Sequence, residues 1–188
     1  MRMAALHPYP GSETEGTRGI RIEAGAVIHA KHLELRFELT GSSGPDLPEE
    51  FSKLPDLRGA RTSELWKEIC FEAFLPVQDS EIYFEFNGAL NGDWDLYQFD
   101  SYRSGMRRLP CETNAAPALL FREAEDSKFR IGFKLPLGLF PESVKFGPIG
   151  LTLVLKTKQG TSYWALNHAG EKPDFHLRAS FTYDPIRN

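Results

Sequence analysis

The sequence predicts an all-β protein, an antiparallel β-sandwich, with a closed β-barrel as the alternative. Three observations predict this class. Apolar and polar residues alternate over several short segments, as they do in strands that bury one face. Aromatic residues make up 12% of the chain, with 14 phenylalanines, and aromatic side chains favour strands. The 16 glycines and 13 prolines interrupt the chain too often for long helices.

The alternation is clearest in four segments, each with an apolar residue at every second position: 20–28, 33–39, 129–135 and 149–155. Each of them is expected to form a strand with one buried face and one solvated face. The segment 41–61 is predicted to be a long loop with one helical turn. The segment 135–141 is predicted to be a short turn or 3₁₀ segment between strands.

The length of 188 residues suits a single domain. We expect this domain to span 18–188, because no linker or internal repeat divides it. The preceding segment, 1–17, is polar and contains Gly and Ser, so it is expected to be flexible. The oligomeric state is left open by the sequence.

Charge and hydropathy argue against several kinds of partner. Lys and Arg total 22 and Asp and Glu total 26, giving a net charge of −4, which argues against a nucleic-acid partner. The longest apolar stretches are too short to span a bilayer, so no membrane partner is expected. The first residues lack the apolar run of a secretory signal, and the cytoplasm is the expected location. Cys70 and Cys111 are too few for a disulfide framework or a zinc site.

The outward-facing positions in the middle of the chain carry an unusual set of side chains. If segments 66–74 and 81–87 pair as a hairpin, one surface carries Trp66, Glu68, Glu72, Tyr83, Glu85 and Asn87. A register that placed Glu72 opposite Glu85 would cost roughly 0.2–1 kcal/mol. A cation, a hydrogen-bonding ligand or a nearby arginine would offset that cost, and three candidates follow: Arg103, Arg107 and Arg108. The alternative is that both glutamates are simply solvated.

A tryptophan beside carboxylates and an amide on a sheet is a combination that suits a sugar. The indole packs on the apolar face of a pyranose, while Glu, Asn and Arg side chains bond to the hydroxyls. A second concentration of aromatic and polar residues lies near the C-terminus, in a strand and the loop after it: Trp164, Asn167, His168, Asp174 and His176.

These segments resemble the DOMON-like domains related to family 9 carbohydrate-binding modules. The motifs are LWKEICFEAFL at 65–75, EIYFEFN at 81–87 with FDSYRSG at 99–105, and SYWALNHAGEKPDFH at 162–176. The resemblance implies an immunoglobulin-like β-sandwich that binds a saccharide without cleaving it. It also implies calcium ions in structural roles, for which no ligands can be assigned.

In sugar-binding relatives, a terminal sugar lies between two tryptophans. The resemblance therefore carries a ligand-binding role onto four residues of this chain: Trp66, Glu72, Trp164 and Asn167. Two further ligand-binding residues, Glu85 and Arg103, are predicted from the geometry of the sheet face.

Three other functions stay open. Other DOMON relatives bind haem through axial Met or His, and here Met106 would have to serve, although it lies in an Arg-rich turn. The carboxylates of Glu72 and Glu85 would permit glycoside hydrolysis, but no second catalytic motif accompanies them, so an enzyme is not favoured. The aromatic face could instead dock a protein partner.

Overall fold

The computed structural model describes residues 1–41, 47–111, 115–125 and 127–187. The strands are β1 (Ala4–Pro8), β2 (Arg21–Ile28), β3 (His32–Thr40), β4 (Cys70–Pro76), β5 (Tyr83–Ala89), β6 (Trp94–Phe99), β7 (Arg107–Arg108), β8 (Ala118–Glu125), β9 (Lys128–Pro136), β10 (Gly150–Thr157), β11 (Gly160–Ala165) and β12 (Ile186–Arg187). Helical structure includes α1 (Glu49–Ser52) and 3₁₀ turns at Leu65–Lys67, Leu137–Leu139 and Arg178–Ser180. None of the helices in the described ranges is long and apolar enough to cross a bilayer.

The strands form one curled sheet in the order β7-β6-β5-β4-β10-β11-β1-β2-β3-β9-β8, with β12 added beside β2. The β12–β2 pair is parallel, and the other strand pairs are antiparallel. The order ends at β8 and does not return to β7, so the described strands form an open half-barrel rather than a closed barrel. The prediction of an all-β, antiparallel protein is confirmed.

The four segments with the clearest alternation all form strands, namely β2, β3, β9 and β10. Their apolar rows continue across the sheet, since Leu35 of β3 pairs with Ala26 on one side and Phe133 on the other. The predicted 3₁₀ turn lies at Leu137–Leu139, and the helical turn expected within the 41–61 loop is α1. The part of that loop at 42–46 lies outside the described residues.

Strand β1 differs from the sequence expectation. The segment 1–17 was expected to be flexible, yet Ala4–Pro8 pairs with β2 on one side and with β11 on the other. Leu6 of this strand is buried in the core. Because its two partners lie far apart in the chain, local composition carries little sign of the strand that joins the two halves of the sheet.

The hydrophobic core lies between those halves, with β2, β3 and β9 on one side and β4, β5 and β10 on the other. Phe71 of β4 is at its centre. Its ring centroid lies 5.2 Å from that of Phe37 on β3 and 6.2 Å from those of Phe129 and Phe133 on β9. Aromatic contacts of this kind add to the free energy gained from burying the rings.

The two halves approach closely where Gly88 of β5 faces Phe133. A Cβ atom at position 88 would lie 2.6 Å from Cζ of Phe133, well inside van der Waals contact. The close packing of this part of the core therefore requires glycine.

Replacing Gly88 with alanine is expected to lower the free energy of unfolding by about 1–3 kcal/mol, the usual cost of overpacking a core. Urea denaturation would measure it. Gly138→Ala is the matched control, because a Cβ there meets no atom within 4 Å. An equal loss of stability in both variants would contradict the packing argument.

Candidate functional site

The outward face of β4, β5, β6 and β10 forms a second buried layer, separate from the core. The strand register places Glu72 between Thr152 and Asn87. Two residues further along β4, on the same face, Phe74 pairs with Glu85. Glu72 and Glu85 are therefore diagonal neighbours, and the directly opposed register considered above does not occur.

The segment 173–181, which follows β11 and is called the C-terminal segment below, covers this face. The ring of Phe181 stacks on that of Phe74, with centroids 5.6 Å apart and planes at 21°. The guanidinium of Arg178 donates to three backbone carbonyls in the 77–82 turn between β4 and β5. These contacts fasten the segment across the sheet, and burial of the layer depends on them.

Between the sheet and this segment lies a cavity of about 380 Å³. This volume falls within the range of small-molecule sites. The cavity is lined by Trp66, Glu72, Phe74, Glu85, Phe99, Arg103, Met106, Val154, Tyr163, Pro173, Phe175 and His176. Its wall is mostly aromatic and aliphatic, with a few ionisable groups among the apolar ones.

Trp66 reaches the cavity from the 3₁₀ turn Leu65–Lys67, just before β4, and not from the strand itself. Its half-buried indole packs edge-on against the ring of Tyr97, with centroids 5.7 Å apart. The turn begins at Glu64, which has a left-handed φ of +62°. Such a conformation costs a non-glycine residue roughly 1–3 kcal/mol, which the surrounding contacts must offset.

Two glutamates lie in the wall of the cavity with little access to solvent. Glu72 is 2% exposed and accepts a hydrogen bond from the hydroxyl of Thr152 at 2.9 Å. Glu85 is 4% exposed and accepts one from the amide of Asn87 at 2.7 Å. Burial, together with the neighbouring charge of Glu85, raises the pKa of Glu72 to about 8. Burial also raises the pKa of Glu85 to about 7.

His176 stands beside Glu85. The hydroxyl of Tyr83 accepts the backbone N–H of Arg103 at 3.2 Å and lies 2.7 Å from Nδ1 of His176. Burial and the positive charge of Arg103 lower the pKa of His176 to about 4, so the ring is neutral at pH 7. One hydrogen bond therefore joins the Tyr83 hydroxyl to Nδ1 of His176, and the ring tautomer decides which of the two donates. Nε2 of the ring lies 3.8 Å from the carboxylate of Glu85, beyond hydrogen-bonding distance.

Arg103 is held by Asp174 rather than by the two cavity glutamates. Its Nη2 lies 2.9 Å from Oδ1 of Asp174, while the hydroxyl of Tyr102 donates to Oδ2 at 2.5 Å. Like Glu64, Arg103 has a left-handed backbone, with a φ of +52°. Two sharply turned segments thus flank the cavity, a pattern often found at ligand sites.

The structure brings together four of the six predicted ligand-binding residues: Trp66, Glu72, Glu85 and Arg103. Trp164 lies elsewhere. It is 2% exposed and belongs to the core, where its indole N–H donates to the hydroxyl of Ser162 at 2.8 Å. Asn167 is exposed, donates to the carbonyl of Ala179 and does not line the cavity. The two tryptophans therefore do not face each other across an open cleft.

Several wall residues were not selected from the sequence. Tyr163 occupies the cavity side of β11 because it pairs with Val154, whereas Trp164 pairs with Leu153, a core residue. Phe175 and His176 enter from the covering segment, which no strand pattern predicts. Met106 also lines the cavity, whereas the sequence suggested that its Arg-rich turn would keep it out of an apolar pocket.

Fold and site together define a class: an all-β domain whose curled antiparallel sheet carries a ligand-sized cavity on its outer face. No family model matches the chain, and no curated protein matches it with significance. One similar solved structure is described as a "putative carbohydrate-binding protein" from Bacteroides uniformis, with a TM-score of 0.64 and 11% sequence identity. The match covers 97% of this chain and 84% of that one, which shows a shared fold.

A second solved structure is a family 9 carbohydrate-binding module from Caldicellulosiruptor kristjanssonii in complex with glucose. It has a TM-score of 0.43 and 11% identity, and the match covers 86% of this chain and 74% of that one. Our conclusion about the fold rests on the first structure alone.

The free energy of unfolding is expected to fall as the pH rises from about 6.5 to about 9. Glu72 and Glu85 hold protons in the folded protein up to about pH 8 and 7, whereas the unfolded chain has already released them. The folded state binds more protons in this window, so raising the pH destabilises it. The titration of His176 changes the free energy of unfolding only below this pH window, because the pKa of His176 is lowered to about 4. Urea denaturation at both pH values should show a loss on the order of 1–3 kcal/mol.

Glu72→Gln removes one of these two ionising groups and should reduce the loss of unfolding free energy between the two pH values. Glu81→Gln, at an exposed position in the turn before β5, should leave it unchanged. A wild-type stability that rises over this pH window would show that the two carboxyls are not held protonated.

Proposed function

We propose that this protein is a non-catalytic carbohydrate-binding module and that the cavity is its sugar site. The observation that carries the proposal is the presence in one cavity of a half-buried indole, Trp66, with two proton-holding carboxyls, Glu72 and Glu85. An indole packs on the apolar face of a sugar ring, and carboxyl groups bond to its hydroxyls.

Further support comes from the rest of the wall and from the fold. Tyr163 and Phe175 add aromatic surface, and His176 adds Nε2, a ring nitrogen that has no hydrogen bond within the described residues. The Bacteroides uniformis protein that shares the fold is itself described as a "putative carbohydrate-binding protein". In our proposal, one sugar residue packs on Trp66 alone and is not held between two tryptophans.

The proposal extends to the kind of domain. The packing of β2, β3 and β9 onto β4, β5 and β10 resembles two layers of a sandwich. This supports the immunoglobulin-like arrangement implied by the resemblance to DOMON-like domains.

Trp66→Ala should weaken sugar binding at least about tenfold, since a central aromatic contact dominates a small interface. A glycan array would identify the sugar, and calorimetry with that sugar would compare the variants. Phe121→Ala is the matched control, because Phe121 is a half-buried aromatic residue on β8, outside the cavity. Absence of binding to any glycan, or equal binding by both variants, would overturn the proposal.

A second candidate function, glycoside hydrolysis, has one specific observation in its favour. Glycosidases use a pair of carboxyl groups in one cavity and raise the pKa of the one that acts as the acid, and here the pKa of each of the two is raised. Binding without catalysis explains the same groups as hydrogen-bonding partners of sugar hydroxyls, and it needs no positioned water or nucleophile.

The wild-type protein is therefore expected to release no nitrophenol from chromogenic glycosides of the sugars that it binds. The assay should run at about pH 6–7, where the pair is partly protonated. Turnover that is lost in both Glu72→Gln and Glu85→Gln, but retained in Glu81→Gln, would replace the binding function with hydrolysis.

A further inference from the structure

A second cluster of ionisable side chains lies at the β2–β3 hairpin, on the half of the sheet that does not carry the cavity. His29 follows β2, and His32 and Glu34 belong to β3. The backbone N–H of His29 donates to the carbonyl of His32 at 2.8 Å and closes the turn. The turn thereby stacks the two imidazoles, with centroids 4.5 Å apart and planes at 22°.

The spacing of the three side chains suits a metal ion. Each offers one ligand atom, and these atoms all lie within 4.8 Å of one another. Nε2 of His29 is 3.2 Å from Oε2 of Glu34. Two ligands on a tetrahedral ion with bonds of about 2.0–2.1 Å are themselves about 3.3–3.4 Å apart. One edge of such a site is therefore already formed.

A purely structural role explains only part of this cluster. Nε of Arg36 donates to Oε1 of Glu34 at 2.5 Å, and His29 occupies Oε2, so these contacts account for Glu34 and His29. His32 is left over. Its imidazole is half-buried and makes no hydrogen bond to any described residue, although it stands within ligand distance of the other two side chains. A metal ion would give His32 a partner while Arg36 kept its bond to Oε1.

We propose that His29, His32 and Glu34 bind a divalent transition metal ion of the Zn²⁺ class. Two imidazoles and one carboxylate suit Zn²⁺, Cu²⁺ or Ni²⁺. Calcium is a poor fit, because it takes six to eight oxygen ligands.

Lys134 pairs with Glu34 across β3 and β9. Its positive charge offsets the negative charge of Glu34, so the site disfavours a cation that is attracted by charge alone and does not form coordination bonds to the imidazoles. Three protein ligands leave one coordination position for water or an external ligand. These residues are not part of the cavity wall, so the proposal stands apart from the sugar-binding function.

Titration of untagged, chelator-treated protein with ZnCl₂ in a calorimeter tests the proposal. We expect one ion per chain and a rise in the midpoint temperature of thermal unfolding when zinc is added. Co²⁺ in place of Zn²⁺ should give visible absorption bands of a nitrogen- and oxygen-ligated ion. The His32→Ala and Glu34→Gln variants should each lose at least about tenfold in zinc affinity.

His7→Ala is the control, since His7 is an exposed histidine on β1 and not part of the cluster. It should bind zinc as the wild type does. His32 makes no hydrogen bond to the described residues, so His32→Ala should keep the wild-type circular dichroism spectrum, and Glu34→Gln provides a second, independent variant. The absence of stoichiometric binding, or equal zinc affinity in His32→Ala and His7→Ala, would overturn the proposal.

Discussion

The burial of both faces of β4, β5 and β10 is the constraint on which the site depends. The inward face meets β3 and β9 through Phe71. The outward face is covered by the C-terminal segment, which Phe181 and Arg178 hold in place. Since successive strand residues point to opposite faces, every outward side chain here must be apolar or find a polar partner. A sheet with one solvated face would place no such demand on its glutamates.

Glu72 and Glu85 meet this demand by holding protons rather than by forming ion pairs. The guanidinium that lines the same cavity, that of Arg103, is bonded to Asp174, and His176 is neutral. Burying two carboxylates side by side without a cation would be far more costly than binding protons. The result is a cavity with low charge, in which a few hydrogen-bonding groups interrupt a mostly apolar wall. Thr152 and Asn87 each satisfy one carboxyl oxygen.

Alternation within the sequence was sufficient to locate β2, β3, β9 and β10 and to place Glu72 and Glu85 on one face. Both of those inferences depend on the alternation of side chains between the two faces of a strand, which is reliable within a strand or across one short hairpin. Trp66 was placed on the correct face, although it belongs to a turn before the strand. The C-terminal cover could not be predicted, because its contacts are long-range and its sequence has no periodic pattern.

Trp164 was assigned to the wrong face of the sheet because the pairing register of β11 with β10 was not considered. Residues 158 and 159 form a two-residue connection, so Thr157 pairs with Gly160 and Leu153 with Trp164. Combined with the predicted inward position of Leu153, this short loop would have placed Trp164 in the core and Tyr163 in the cavity. β1 could not be found in this way, because a five-residue strand whose partners lie far apart in the chain leaves no local pattern.

The chemistry of the wall narrows the kind of ligand that it can hold. An anion would lie against Glu72 and Glu85 and would meet only an arginine already bonded to Asp174. A cation would favour the ionised form of both acids, so the carboxyls would lose the protons that lower the free-energy cost of burying them. A neutral polyol requires neither change, because each hydroxyl both donates and accepts a hydrogen bond. Carboxyl groups that hold protons near neutral pH offer the same two roles, so the wall matches hydroxyl groups more closely than it matches either ion.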